Sequence, residues 1–207
     1  MTTASVRART ASLYPLLADR HSPRSFDTGH EISDDEVAAL LEAARWAPSS
    51  MNRQPWRLAV ARRGTAAHAS VLRTLAEGNR RWAGDASALV VAVAERVRDG
   101  RAISTADYDL GLAMGQLTVQ AHALGLHVHQ MGGFDHAALA DHLGLRAGLA
   151  PLVVIAVGRR ADAGRLPDDL RAREVAPRVR RPLHETVLHL DGQRWPSGDE
   201  ARQEPAA

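Results

Sequence analysis

The chain has 207 residues, 45% apolar, 4% aromatic and 24% charged, with a formal net charge of +2. That length suits a single domain, and the apolar fraction is large enough for a core, which excludes wholesale disorder. There is no cysteine, so disulfides, zinc–thiolate sites and thiol nucleophiles are excluded too.

Met1 to Thr10 carries arginines but no apolar signal core and reads as a flexible arm. Ala11 to Asp19, with Leu13, Leu16 and Leu17, reads as a short helix ending at the cluster Arg20-His21-Ser22-Pro23-Arg24. Ser33-Asp34-Asp35-Glu36 is a capping box with acidic residues in the first turn. Val37, Leu40, Leu41 and Ala44 follow at i, i+3, i+4 and i+7, which predicts an amphipathic helix that Pro48 ends. Arg57–Arg62 reads as a strand and Ala66–Ala76 as a helix that stops at Gly78-Asn79. Ala88–Ala94 is a continuous apolar run, a strand buried on both faces.

Thr105–Leu124 predicts a long helix with Leu112, Gly115, Gln116, Val119 and Ala123 along one face. Its small residues Gly111, Ala113 and Gly115 permit close packing against a neighbour, and Gly125 stops it. Leu126–Met131 reads as a short strand, Asp135 as the N-cap of a helix to Leu143, and Leu152–Val157 as a second buried strand. From Arg159 onward the chain is polar and arginine-rich, with one apolar patch at 187–190, too little to fold alone. This order of elements fits a sheet covered by helices on both faces. The apolar runs are too short to span a bilayer, and a soluble, cytoplasmic protein is expected.

The isoelectric point of about 9.8 is not a nucleic-acid signature. All 26 basic residues are arginine, so almost nothing titrates between histidine and arginine and the value is high even for near-balanced charge. A mixed, solvated surface is expected. Pro48-Ser49-Ser50-Met51-Asn52-Arg53-Gln54-Pro55-Trp56 is the most informative stretch. It holds two hydroxyls and two amides but no strong acid, base or nucleophile, and so suits hydrogen bonding to something polar and planar. With the 20–24 cluster it points to a flavin site. There is no persuasive Ser-His-Asp order, no Gly-x-Gly-x-x-Gly after a strand, and no third ligand obvious beside His127 and His129; metal binding is not expected.

Five segments in register resemble the nitroreductase family of FMN-dependent oxidoreductases. They are Arg20 to Phe26; Ala47 to Trp56 after the capped helix; Gly78-Asn79 before Asp85-Ala86; Gly125-Leu126 with Met131-Gly132-Gly133-Phe134; and Arg178-Val179-Arg180-Arg181-Pro182-Leu183. The similarity runs from about Tyr14 to Leu188. It implies an α+β, three-layer α-β-α sandwich with a central, mostly antiparallel sheet, assembled as an intertwined homodimer with FMN in two interface clefts. The domain would span residues 11–190, with 177–190 wrapping the partner and a flexible tail at 191–207.

The resemblance also implies roles. Arg20 and Ser22 would meet the phosphate and ribityl chain, with His21 a local contact in that cluster. Arg180, with Arg178 or Arg181, would close on the phosphate, for which guanidinium is well shaped. Arg24 would lie near the pyrimidine edge and stabilise the negative charge of the reduced ring. Ser49, Ser50, Asn52 and Gln54 would arrive from the other subunit. Asn79 would sit beside the ring edge, although Gly78-Asn79 also suits a helix C-cap. Met131, Gly132 and Gly133 form a loop near flavin N5, where glycine permits close approach and unusual φ. Where some members carry a lysine this chain has Trp82, which would fill or reshape the acceptor side of the cleft.

The expected activity is transfer of hydride from NADH or NADPH through FMN, in a ping-pong cycle, to a nitroaromatic, a quinone or a similar small molecule. Alternatives are an FMN storage or sensor protein with little turnover, a specialised flavin-dependent dehydrogenase or reductase of the same family, and an arginine-driven nucleic-acid binder.

Overall fold

The computed structural model describes residues 13–181 and 183–187. The expected flexible arm at 1–10 and tail at 191–207 lie outside them, as does most of the apolar patch at 187–190. The chain divides into two compact units, Met1–Glu174 and Val175–Ala207.

In the first unit, α1 (Pro15–Asp19) is one turn with proline at its start. The helix α2 (Asp34–Arg45) has the full reciprocal capping box between Ser33 and Glu36. It ends three residues before Pro48 because Trp46 caps it and the residue preceding a proline is biased away from helical backbone. Then come β1 (Trp56–Arg62), α3 (Ala66–Thr74), α4 (Glu77–Ala83) and β2 (Ala88–Glu95). A small unpredicted hairpin, β3 (Val97–Arg98) and β4 (Arg101–Ala102), leads to the long helix α5 (Ala106–Ala123). The elements β5 (His127–Met131), α6 (His136–His142), β6 (Leu149–Gly158) and α7 (Asp168–Glu174) complete the unit.

The main sheet has the order β1-β2-β6-β5 with every neighbouring pair antiparallel. A register shift beside Ala92 and Val93 skips Leu152 and accommodates Pro151, which has no N–H to give to a ladder. All eight residues of β2 are buried. Ala88, Val90, Ala92 and Ala94 enter one core, with Leu40 and Ala44 of α2 and Leu110, Ala113, Met114 and Leu117 of α5. Leu89, Val91 and Val93 enter the other, with Val71, Leu75, Trp82 and Leu139. The fold is therefore a three-layer α+β sandwich: strand alternation splits one continuous apolar run between two cores.

Two expectations need correction. The helix read as Ala66–Ala76 stops at Thr74 and a separate helix begins at Glu77, because Leu75 forms a bridge with Phe134 and the Ala76 N–H donates to Gly133 O at 2.9 Å. The chain after Arg159 is not wholly without a core. Leu166 and Leu170 are buried in the second cluster, placed there by a 3₁₀ turn at Ala163–Arg165 and by α7. The second unit contains the short helix α8 (Leu183–Thr186), preceded by exposed arginines.

At the end of β2 the Glu95 carboxylate, 1% exposed, meets three guanidiniums: Arg57 at 3.0 Å, Arg146 at 2.9 Å and Arg98 at 2.5 Å. The Arg98 hydrogen bond is the main reason its carboxyl is held below the ordinary 4.5. A carboxyl with a lowered folded-state value stabilises the fold above its unfolded value and loses that contribution as pH falls through the folded value. Glu95→Gln should therefore cost about 1–3 kcal/mol at neutral pH. Urea denaturation of both proteins should show that gap closing below pH 4.5; a gap that persists in acid would count against the ion-pair account.

Candidate functional site

Two sets of predicted site residues are built on different supports. The first is a wall around Arg20–Arg24. Ser25 Oγ donates to Asp162 O at 2.7 Å, the Asp27 N–H donates to Arg159 O at 2.9 Å, and Phe26 is 1% exposed. These contacts fix the C-terminal side of the segment. Arg20 Nη1 donates to Ser22 Oγ at 3.3 Å, so cation and hydroxyl are brought together. The Arg24 N–H donates to Glu174 Oε2 at 2.9 Å, and Arg24 Nη1 lies 3.9 Å from the same carboxylate.

From below, His129 Nδ1 meets Pro23 O at 2.9 Å. Burial holds the His129 imidazole below its ordinary value, so it is neutral at pH 7 and acts there as an N–H donor to that carbonyl. Trp82 lies against the imidazole with ring centroids 4.4 Å apart and stacks on Phe26 at 6.2 Å. It is 2% exposed. Trp82 thus does not line the acceptor side of a cleft. It is a core residue carrying the floor beneath Pro23, and the sequence motif could not show which way α4 turns it.

One turn earlier in α4, Asn79 Nδ2 donates to Gly133 O at 3.2 Å. Asn79 is not a helix C-cap, because α4 runs from Glu77 to Ala83 and places it in the opening turn. Gly132 and Gly133 do not adopt positive φ, contrary to expectation. A Cβ at Gly133 would come within 3.2 Å of Asn79 Nδ2 and 3.4 Å of Ala76 Cβ. Close approach, not backbone conformation, is what asks for glycine there. A Cβ on Gly132 would meet open space. The Met131 side chain is 2% exposed, in the core.

The second set is the loop after α2. Met51, Asn52 and Gln54 have φ of 53°, 54° and 48°. Left-handed backbone costs a non-glycine residue on the order of 1–3 kcal/mol and persists only where its surroundings impose it. Here Ser49 Oγ accepts from the Gln54 N–H at 2.9 Å, and Gln54 Nε2 donates to Asn52 O at 3.1 Å and to Asn52 Oδ1 at 3.0 Å. Asp109 of α5, 2% exposed, accepts from the Ser50 N–H at 3.3 Å and from Thr105 Oγ1 at 2.9 Å. The predicted polar residues therefore brace one another in a strained loop anchored on the long helix. Beside it, α2 and α5 enclose an apolar groove of about 830 Å³ lined by Trp46, Pro48, Gly111, Leu112, Gly115 and Val119 among others.

Arg178, Arg180 and Arg181 lie in the second unit and are exposed, with Arg180 Nη1 donating to Val179 O at 2.8 Å. Asp109 and Glu174 were missed in the sequence. Asp109 carried one signal, a lone acid on an otherwise apolar helix face; Glu174 is indistinguishable from its charged neighbours. Among the described residues no cluster of three or more His, Asp or Glu is placed to hold a metal ion, and no helix is long and apolar enough to cross a membrane.

Comparison with known proteins gives a consistent picture. The model described as the Nitroreductase family matches residues 17–159. A solved structure described as an oxidoreductase containing FMN is 34% identical with a TM-score of 0.81, covering 87% of this chain and 92% of its own. A structure from Desulfovibrio desulfuricans, in complex with FMN, is 27% identical with a TM-score of 0.69, covering 85% of this chain and 96% of its own. The oxygen-insensitive NAD(P)H nitroreductase of Enterobacter cloacae is 28% identical in an alignment that covers 81% of this chain and 94% of that protein.

Proposed function

The chain belongs to the nitroreductase family, and on that premise we propose that it is an NAD(P)H-dependent oxidoreductase holding FMN between two copies of itself. The observation that carries this reading is the paired donor set. Arg20 and Ser22 lie 3.3 Å apart on a braced segment, in a chain whose relatives of known structure include FMN complexes. Their chemistry fits a phosphate ester with hydroxylated carbons: guanidinium for the dianion, hydroxyl for the chain.

FMN, when bound, would supply two-electron transfer between reduced nicotinamide and an acceptor. The protein's part is positional and electrostatic. Arg20 and Ser22 would bind the phosphate end. Arg24 would place a fixed cation where charge accumulates on reduction. Asn79 and the Gly132-Gly133 backbone would orient the ring edge. Ser49, Ser50, Asn52 and Gln54, pre-shaped by their own hydrogen bonds, would reach it from the second copy. Reductant and acceptor would use one space in turn, in a ping-pong order, with a nitroaromatic or quinone as acceptor class.

Support for a homodimer comes from α5. Leu110, Ala113, Met114 and Leu117 enter its own core, while Gly111, Leu112, Gly115 and Val119 line the open groove. A helix apolar on opposite faces needs cover on both, and a second copy would provide it while bringing the 49–54 loop to the other wall. The storage or sensor alternative has lost its motivating feature, since Trp82 is buried in the core.

The expected result is a yellow protein with flavin absorbance that bleaches under NADH or NADPH without oxygen and returns on adding a quinone or nitroaromatic. A protein that retains no flavin after incubation with excess FMN and desalting would rule the reading out.

A further inference from the structure

Among the described residues, four buried side-chain nitrogen or oxygen atoms lack a hydrogen-bond partner, and three of them are in one place: His21 Nε2, His127 Nδ1 and Glu174 Oε1. The His21 and His127 rings meet edge-on at 5.7 Å. Burial, with the neighbouring cations, holds His127 down at about 4, so it is neutral at pH 7. Glu174 comes from the end of α7, with its side chain 1% exposed. Oε2 accepts the Arg24 N–H at 2.9 Å, and His21 Nε2 stands 3.9 Å from Oε1, which is electrostatic range and not a hydrogen bond.

A buried carboxylate with one oxygen unsatisfied is a poor stabilising device, because removing a charge from water costs more than a single bond returns. Burial disfavours the Glu174 charge, yet His21 and the Arg24 N–H outweigh it and leave the carboxyl below its ordinary value. The group is thus an anion kept behind the Arg20–Arg24 segment: its hydrogen bond and its two ion pairs are to that segment, with Arg160 adding to the attraction.

We propose that Glu174 is a positioning residue for the cofactor site: its carboxylate fixes the backbone at Arg24, and its charge damps the Arg24 guanidinium. The proposal rests on the reading of this segment as an FMN site. The two effects separate by substitution. Glu174→Gln keeps an oxygen for the Arg24 N–H but removes the charge, whereas Glu174→Ala removes both.

FMN titration of the full-length apoproteins, with the flavin reduction potential measured on the holoproteins, tests it. Glu174→Gln should bind FMN within about twofold of wild type, with a more positive potential, because an undamped cation favours the anionic reduced ring. Glu174→Ala should bind about tenfold more weakly, the scale of one hydrogen bond to a charged group. A purely structural glutamate would lower the melting temperature but leave the Gln potential unmoved, and that result overturns the proposal even if the Ala protein does not fold. Wild-type binding matched by Glu174→Ala overturns the proposal alone, leaving the FMN reading standing. Wild-type protein that takes up no FMN overturns both.

Discussion

Trp82→Ala should destabilise the protein by about 3–5 kcal/mol, the range for deleting a large aromatic side chain from a packed core. Trp82 is 2% exposed and packs between Phe26 at 6.2 Å and His129 at 4.4 Å. Truncation leaves a cavity whose walls belong to the sheet and cannot collapse freely. The local consequence reaches the site, because His129 meets Pro23 O at 2.9 Å and Pro23 lies between Ser22 and Arg24. Loss of the indole frees the imidazole, and with it the carbonyl that fixes the segment. Trp82→Phe, which keeps an aromatic surface, should cost much less. Chemical denaturation of the three proteins checks this. A loss under about 0.5 kcal/mol for alanine, the range of ordinary surface changes, would contradict the packing described here.

On the proposed FMN-bound homodimer, Gly115→Glu should yield a monomer and strip the flavin with it. A Cβ at Gly115 meets nothing within 4 Å in its own chain. The protomer therefore has room for a β-carbon there, and a helix-interior glycine replaced by a better helix former gains about 0.5–1 kcal/mol. What it changes is the open groove, whose lining includes Leu112, Val119 and Trp46. A carboxylate pressed between apolar faces without a partner costs several kcal/mol, enough to reduce association more than a hundredfold. Because the Ser49–Gln54 loop would serve the other copy's flavin, cofactor retention should fall in step. Sedimentation velocity and the flavin-to-protein absorbance ratio report the two effects, with Gly115→Ala as control. A Gly115→Glu protein that remains dimeric and yellow would show that this face is not the joint.

Much of the fold was legible because local rules were obeyed. Ser33 and Glu36 form the reciprocal cap the sequence announces, and β2 is buried on both faces as its unbroken apolar run requires. The face of α5 marked by Leu112, Gly115, Gln116 and Val119 is a coherent surface, the wall of the groove. The failures fall where distant segments act on local structure. The helix expected to reach Ala76 breaks because its end pairs with the turn at Gly133 and Phe134. Asn79 is thereby moved from a cap to the side of a second helix, and Trp82 is turned into the core.

The candidate site divides the same way. Family motifs named Arg20, Ser22, Arg24, Ser49, Asn52 and Gln54, since residue types suited to phosphate and amide recognition survive as letters in order. No family motif named Asp109 or Glu174, each of which acts through a partner far along the chain: Ser50 for one, Arg24 for the other. Periodicity, caps and apolar runs alone determined α2, β2 and α5 and their core faces, because those signals lie within a few residues of one another. Which buried acids brace the site, and which tryptophan carries its floor, was decided only by tertiary structure. A carboxylate's role depends on the solvent it is removed from and the donors it meets, and folding alone supplies both.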